Sequence, residues 1–139
     1  MVTPATPGKV LIVETHQGYR RTLVELLAAM GVKDVLTAAS PNEVLTALVA
    51  EPTLRGAVIS HDLPQGDARR AADALWILAP GTPVIFYTGR SEATIDVDAF
   101  PAPVALLCKP LRTWDLQATL GKLRKQADTP KRGSTFPLE

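Results

Sequence analysis

Apolar residues in this chain come in short solid runs separated by stripes at helical spacing. Val10-Leu11-Ile12-Val13, Ala57-Val58-Ile59 and Val84-Ile85-Phe86-Tyr87 are uninterrupted and mostly β-branched or aromatic, which is how strands read when both faces of their sheet are covered. Asp34 to Ala38 and Val104 to Cys108 predict two more strands. Leu23, Leu26, Leu27 and Met30 recur at i, i+3, i+4 and i+7 and predict an amphipathic helix that stops at Gly31. Ser40-Pro41-Asn42-Glu43 carries the cap, the first-position proline and the glutamate of a capping box. The helix it starts has Val44, Leu45 and Leu48 as its buried stripe and Pro52 as its limit. A third helix is predicted from about Arg69 to Leu78, with Ala72, Leu75, Trp76 and Ala79 facing inward. A fourth follows Thr113, its expected cap, with Leu116, Leu120 and Leu123 as its stripe. Ser91 to Phe100 fits neither period and is closed by Pro101 and Pro103; one short helix is expected there.

Five strands alternating with helices predict an α/β domain over residues 9–126, since each parallel return needs a crossover and helices then cover both faces of the sheet. Residues 1–8 have no apolar period and are expected to be a flexible leader; residues 127–139 are expected to be a flexible tail or linker. The binding crevice of an open parallel sheet lies beyond the carboxyl ends of its strands. The strands end in Glu14-Thr15-His16, Ser60-His61-Asp62, Thr88-Gly89 and Lys109-Pro110, so Glu14, Ser60, Thr88 and Lys109 should converge. The stretch GAVISHDLP, Gly56 to Pro64, is the pivot: a buried strand that delivers Ser60 into a polar cluster and stops at a proline.

Composition narrows the classes. With 139 residues, 46% of them hydrophobic and 21% charged, the chain has the balance of a globular domain. A net charge of +1 gives no general pull toward nucleic acid, and a nucleic-acid contact is not expected of this domain. No apolar run approaches the roughly 18 to 20 residues that cross a membrane. Cys108 is the single cysteine, so an intrachain disulfide is excluded, and the first residues lack a signal-peptide pattern; a cytoplasmic protein is the expectation.

The order of these motifs resembles a response-regulator receiver domain, the CheY-like module that accepts phosphate in two-component signalling. KVLIVET resembles its first strand with an acidic end, VISHDLP its phosphoacceptor strand, PVIFYTG the strand ending in a switch threonine, and LLCKPL the lysine-proline at the last strand. The resemblance implies a flavodoxin-like three-layer sandwich with a five-stranded parallel sheet. It further implies an aspartate nucleophile at the end of the third strand, acidic residues after the first strand that help hold Mg²⁺, and a hydroxyl and a lysine that stabilise the phosphoryl group. Four residues before Pro64, at the phosphoacceptor-equivalent position, stands Ser60. Glu14 keeps one carboxylate of the acidic pair but Thr15 takes the place of the other. Thr88 and Lys109 match the switch hydroxyl and lysine, Asp62 falls where the family offers the metal a backbone carbonyl, and Leu106 stands where the aromatic switch belongs.

Serine cannot form an acyl phosphate, and the remnant of the metal site is Glu14 and Asp62, so weak or absent Mg²⁺ binding and no cofactor are expected. The implied function is that of a pseudo-receiver, not an enzyme, acting by phosphorylation-independent contact with a protein partner. That partner is a histidine kinase, an output domain or another regulator, and a homodimer is a further option. Two alternatives stay open: a receiver phosphorylated at Asp62 or Glu14 instead, and a small flavodoxin-like enzyme or nucleotide binder. The last lacks a glycine-rich phosphate loop.

Each residue also has a plainer role. Ser60 can be a small residue filling a crowded corner, Lys109 can pair with Glu14 in a structural cleft, and Thr88 can satisfy a backbone group at its strand end. His16 and His61 read as loop histidines, since neither has further ligands at metal spacing. No G-x-S-x-G elbow surrounds Ser60, and Cys108 reads as a small core residue. Lys122, Arg124, Lys125, Lys131 and Arg132 suit the negative end of the last helix.

Overall fold

The computed structural model describes residues 9–50 and 53–128. The expected leader, the expected tail beyond residue 128 with Lys131 and Arg132, and the helix limit at Pro52 lie outside the described residues, while residues 127 and 128, expected to open that tail, are the end of the last helix. The chain runs β1 (Lys9–Val13), α1 (Gln17–Ala29), β2 (Val35–Ala38), α2 (Pro41–Ala50), β3 (Leu54–Ser60), α3 (Asp67–Leu78), β4 (Val84–Thr88), β5 (Val104–Cys108) and α4 (Thr113–Asp128). All four strand pairings are parallel, in the order β2-β1-β3-β4-β5. Helices cover both faces, which gives the three-layer α/β sandwich that the alternation of runs and stripes predicts.

Period-two alternation divides the core. Leu11, Val13, Ala57, Ile59, Val84, Phe86 and Val104 face α2 and α3, while Val10, Ile12, Val58, Ile85 and Tyr87 face α1 and α4. Full burial of each large apolar side chain contributes about 1.5–3 kcal/mol. The stripe of α4 comes inward as Leu116, Leu120 and Leu123. Gly56 lets α4 approach the sheet closely, since a Cβ there would stand 2.6 Å from Leu120 Cδ1.

The helix ends follow local chemistry. Ser40 Oγ accepts the Glu43 N–H at 3.3 Å, and Glu43 Oε1 accepts the Ala39 N–H at 3.0 Å, a capping box whose return bond reaches one residue further back than the usual partner. His16 caps α1, its Nδ1 accepting the Tyr19 N–H at 3.1 Å. Thr113 is the first residue of α4 rather than its cap; the carbonyl of Arg112 already accepts the Leu116 N–H.

Three expectations about packing are corrected. Leu45 is more than one-third exposed, so the inward stripe of α2 is Val44 and Leu48. Cys108 is exposed, as the last residue of β5, which is an edge strand. Ser91–Phe100 is not one short helix: apart from a three-residue 3₁₀ turn at Val97–Ala99 it is irregular. The segment still covers the sheet, through side chains instead of a helical stripe. Phe100 packs against Phe86 and Trp76 with ring centroids 5.5 and 5.9 Å apart, and the Arg69 guanidinium lies 4.6 Å over its ring. Ile95 and Ala102 join the same apolar cluster.

Candidate functional site

The sheet's alternation also sorts the polar groups at its carboxyl end. Glu14 lies two residues beyond Ile12, Ser60 two beyond Val58, Tyr87 two beyond Ile85 and Lys109 two beyond Leu107, all on the α1/α4 side. Pairing of Ser60 with Tyr87 in the β3–β4 register brings two of them side by side. Thr88 has the opposite parity and meets Asp62, which follows the end of β3.

On the α1/α4 side, Glu14 is buried and both carboxylate oxygens are used. Oε1 accepts the Tyr87 hydroxyl at 2.5 Å, and Oε2 accepts the His16 N–H at 2.8 Å. The Arg20 guanidinium is spent on the Glu14 backbone carbonyl at 2.6 Å rather than on the carboxylate. Burial pushes the Tyr87 phenol well above its ordinary value; the bond to Glu14 and that residue's charge push it further, the Tyr19 neighbour adds to this, and the Ser60 hydroxyl acts the other way. Burial, then the Glu14 charge, also raises the Tyr19 phenol against a hydrogen bond from the Leu111 backbone. Lys109 does not pair with Glu14. Its Nζ sits 4.2 Å over the Tyr19 ring and 5.5 Å from the Tyr87 centroid, an ammonium held on aromatic faces. The tyrosines fill the space beside the carboxylate and carry the ammonium on their rings.

At the outer rim, Asp62 Oδ1 accepts the Thr88 hydroxyl at 2.6 Å and Oδ2 accepts the Gly89 N–H at 2.8 Å. Thr88 Oγ1 in turn accepts the Arg90 N–H at 3.0 Å, so it does satisfy a backbone group at its strand end. Burial opposes charge on Asp62, yet the Gly89 and Thr88 hydrogen bonds, with the nearby Lys109 and His61, hold its carboxyl below the usual value. Ser60 is buried, and its Oγ accepts the Asp62 N–H at 3.3 Å. Thr15 is exposed and donates to the Ala39 carbonyl, and His61 packs edge-on against Phe86.

Glu14, Ser60, Thr88 and Lys109 thus lie together at one end of the sheet, and Asp62 is bound into the same cluster. Leu106 is partly buried against the Phe86 side of the sheet. Tyr19, Tyr87 and Gly89 were not among the expected site residues. Tyr87 reads as the last apolar residue of a strand, and only its place two residues past Ile85 marks it as a partner of Glu14 and Ser60. A groove of about 600 Å³ along the outer side of β5, between Val97–Pro103 and α4, shares no lining residue with this cluster.

A hard cation such as Mg²⁺ takes several oxygen ligands whose lone pairs are open. Here the carboxylates of Glu14 and Asp62 each accept two hydrogen bonds, and the lysine ammonium stands nearby. Among the described residues no three His, Cys, Asp or Glu side chains are grouped to hold a metal ion. This donor set offers Mg²⁺ at most a weak site.

No model of a known protein family matches the chain, and no curated protein matches it. Solved structures do. A sensor protein from Polaromonas sp. JS666 is similar with a TM-score of 0.73 at 19% identity, over 88% of this chain and 99% of that one. The receiver domain of nitrogen regulatory protein C is similar with a TM-score of 0.67 at 25% identity, over 86% of this chain and 95% of the other. The receiver domain of a sensor histidine kinase from Pseudomonas aeruginosa PAO1, whose active-site cleft coordinates a magnesium ion, is similar at 0.67 and 17% identity, over 86% and 99%. The sheet order, the helices on both faces and these likenesses agree: this chain has the CheY-like receiver fold.

Proposed function

We propose that this chain is a receiver module of two-component signal transduction that works as a pseudo-receiver, through phosphorylation-independent contact with a protein partner. The observation that carries the reading is the internal satisfaction of Glu14: the carboxylate that would serve a metal accepts the Tyr87 hydroxyl and the His16 N–H instead. Ser60, at the phosphoacceptor-equivalent position, supports it by chemistry, since a hydroxyl cannot give the acyl phosphate that a carboxylate gives. Thr88, Lys109 and Leu106 occupy the switch-equivalent positions. Thr88 is held by Asp62, Lys109 by two aromatic faces, and Leu106 has no ring to rotate. Phosphorylation at Glu14 is disfavoured by its burial among internal donors, and at Asp62 by the loss of its hydrogen bonds from Thr88 and Gly89 that turning a carboxylate into an acyl phosphate would bring.

The partner is a histidine kinase, an output domain or another regulator, or a second copy of the chain. The test is a backbone amide NMR titration with Mg²⁺ and then beryllofluoride, a mimic of the aspartyl phosphate. Resonances of Glu14, Ser60, Thr88 and Lys109 should stay where they are. Saturable shifts there, or phosphate found on the chain after incubation with a small phosphodonor, would refute the proposal.

A further inference from the structure

Asp62 is exposed, yet both of its carboxylate oxygens accept hydrogen bonds from the end of β4. One oxygen takes the hydroxyl proton of Thr88, 26 positions along the chain, and the other takes the amide proton of Gly89. A threonine hydroxyl has one proton, and here it is spent on Asp62; the same oxygen then accepts the Arg90 N–H. Behind the carboxylate, the Asp62 amide donates to Ser60 Oγ. The result is a continuous line of hydrogen bonds from the buried end of β3, through Asp62 and Thr88, into the backbone at Arg90. Arg90 opens the irregular segment that ends at Pro103 and closes over Phe86 with Phe100.

The geometry points to Asp62 as a built-in anion: its carboxylate occupies the hydroxyl and amide donors at the end of β4 that an external oxyanion would otherwise engage, and so holds the segment from Gly89 to Pro103 in one arrangement without any ligand. This rests on the proposed pseudo-receiver function and gives its regulation, a rim held closed by the chain itself. Tethering gives Asp62 the advantage over a free anion. A group attached by a short stretch of chain competes at an effective concentration on the order of millimolar or more, and both of its bonds are charge-assisted.

Hydrogen exchange on the full chain tests this. In Asp62→Ala the Gly89 and Arg90 amides should exchange roughly tenfold faster than in the wild type, the scale expected for loss of a hydrogen bond to a charged group. Protection of Ser91–Phe100 should fall with them while amides of α1 and α4 keep theirs. Thr88→Val should speed exchange at Arg90, whose acceptor it removes, more than at Gly89, which still donates to Asp62 Oδ2, and Thr88→Ser should leave both as in the wild type. Added formate, a free carboxylate small enough for the vacated place, should slow exchange at Gly89 and Arg90 in Asp62→Ala and leave the wild type unchanged. Should Asp62→Ala fail to fold, Asp62→Asn keeps the shape with one acceptor oxygen and no charge, and should speed exchange at the Gly89 amide, the Arg90 amide or both. Unchanged exchange in the folded variant, or acceleration that formate does not reverse, overturns the inference. Beryllofluoride shifts in the wild type would instead overturn the pseudo-receiver function and leave the exchange result standing, so the two failures are told apart.

Discussion

Tyr87 donates its hydroxyl to Glu14 across 73 positions of sequence, and the two share the α1/α4 side of the sheet as each lies two residues beyond a core isoleucine. The bond tethers β4 to the end of β1. A buried carboxylate that loses one of its donors bears the desolvation cost without compensation. Tyr87→Phe keeps the ring and removes only the hydroxyl, so it should lower stability by about 2 kcal/mol in urea denaturation. Loss of under about 0.5 kcal/mol, within the ordinary scatter of surface substitutions, would mean that Glu14 does not depend on the phenol.

Ser60→Asp restores the residue type that the resemblance implies, and should not restore the activity. The position is buried and shares its side of the sheet with the Glu14 carboxylate. A second carboxylate there meets a like charge in a poorly solvated place, which disfavours the charged form and raises its pKa. The variant should therefore be destabilised at pH 7, with the deficit shrinking as the pH falls and the new carboxyl takes up its proton. Thermal melts between about pH 4 and 8 check this, and phosphorylation of Ser60→Asp by a small phosphodonor would show that the Tyr87 and His16 bonds to Glu14 yield easily.

The fold was legible because its signals are local and agree with one another. Solid apolar runs mark strands covered on both faces, and the Leu116, Leu120 and Leu123 stripe marks a helix over the sheet. The Ser91–Phe100 segment was not, since Ile95, Phe100 and Ala102 reach the core from irregular backbone, and no period records that. At the site, the convergence of four strand ends followed from the parallel sheet alone. Who bonds to whom did not. Strand parity could have paired Glu14 with Tyr87, but the contact of Asp62 with Thr88 depends on how the chain turns after β3, where Gln65 takes a left-handed φ of 56° and Gly66 one of 76°. Lys109 lies over the Tyr19 and Tyr87 rings and not on the Glu14 carboxylate, an arrangement that residue types do not reveal.

Phe100 is the residue by which an irregular segment does the covering work of a helix, and its removal tests that reading. It touches Phe86, Trp76 and the Arg69 guanidinium at once. Phe100→Ala should cost about 2–3 kcal/mol, below the usual range for a fully buried phenylalanine because the ring is only partly buried. Protease sensitivity should rise between Arg90 and Pro103, whereas Phe100→Leu should recover most of the loss. Equal stability of Phe100→Ala and the wild type would mean that the segment contributes nothing to the core.

The pH dependence of stability should have two arms with separate owners. The carboxyl of Asp62 is held below its ordinary value in the folded chain, so between its folded and unfolded pKa values the unfolded chain binds more protons. Stability from this group is therefore full above the unfolded value of about 4 and is lost as pH falls through the folded value. The side chain is exposed, so this acid arm is shallow and weakens with salt. The Tyr87 phenol is raised far above its ordinary value, which reverses the sign. Its contribution is full below the unfolded value of about 10 and is lost as pH rises beyond it, because the unfolded chain then releases a proton that the folded chain retains. Asp62→Asn should flatten the acid arm and leave the alkaline one. Tyr87→Phe should reduce the alkaline arm to the part owed to Tyr19, whose phenol is raised as well. Urea midpoints across the pH range separate the two, and an alkaline arm unchanged in Tyr87→Phe would contradict the assignment.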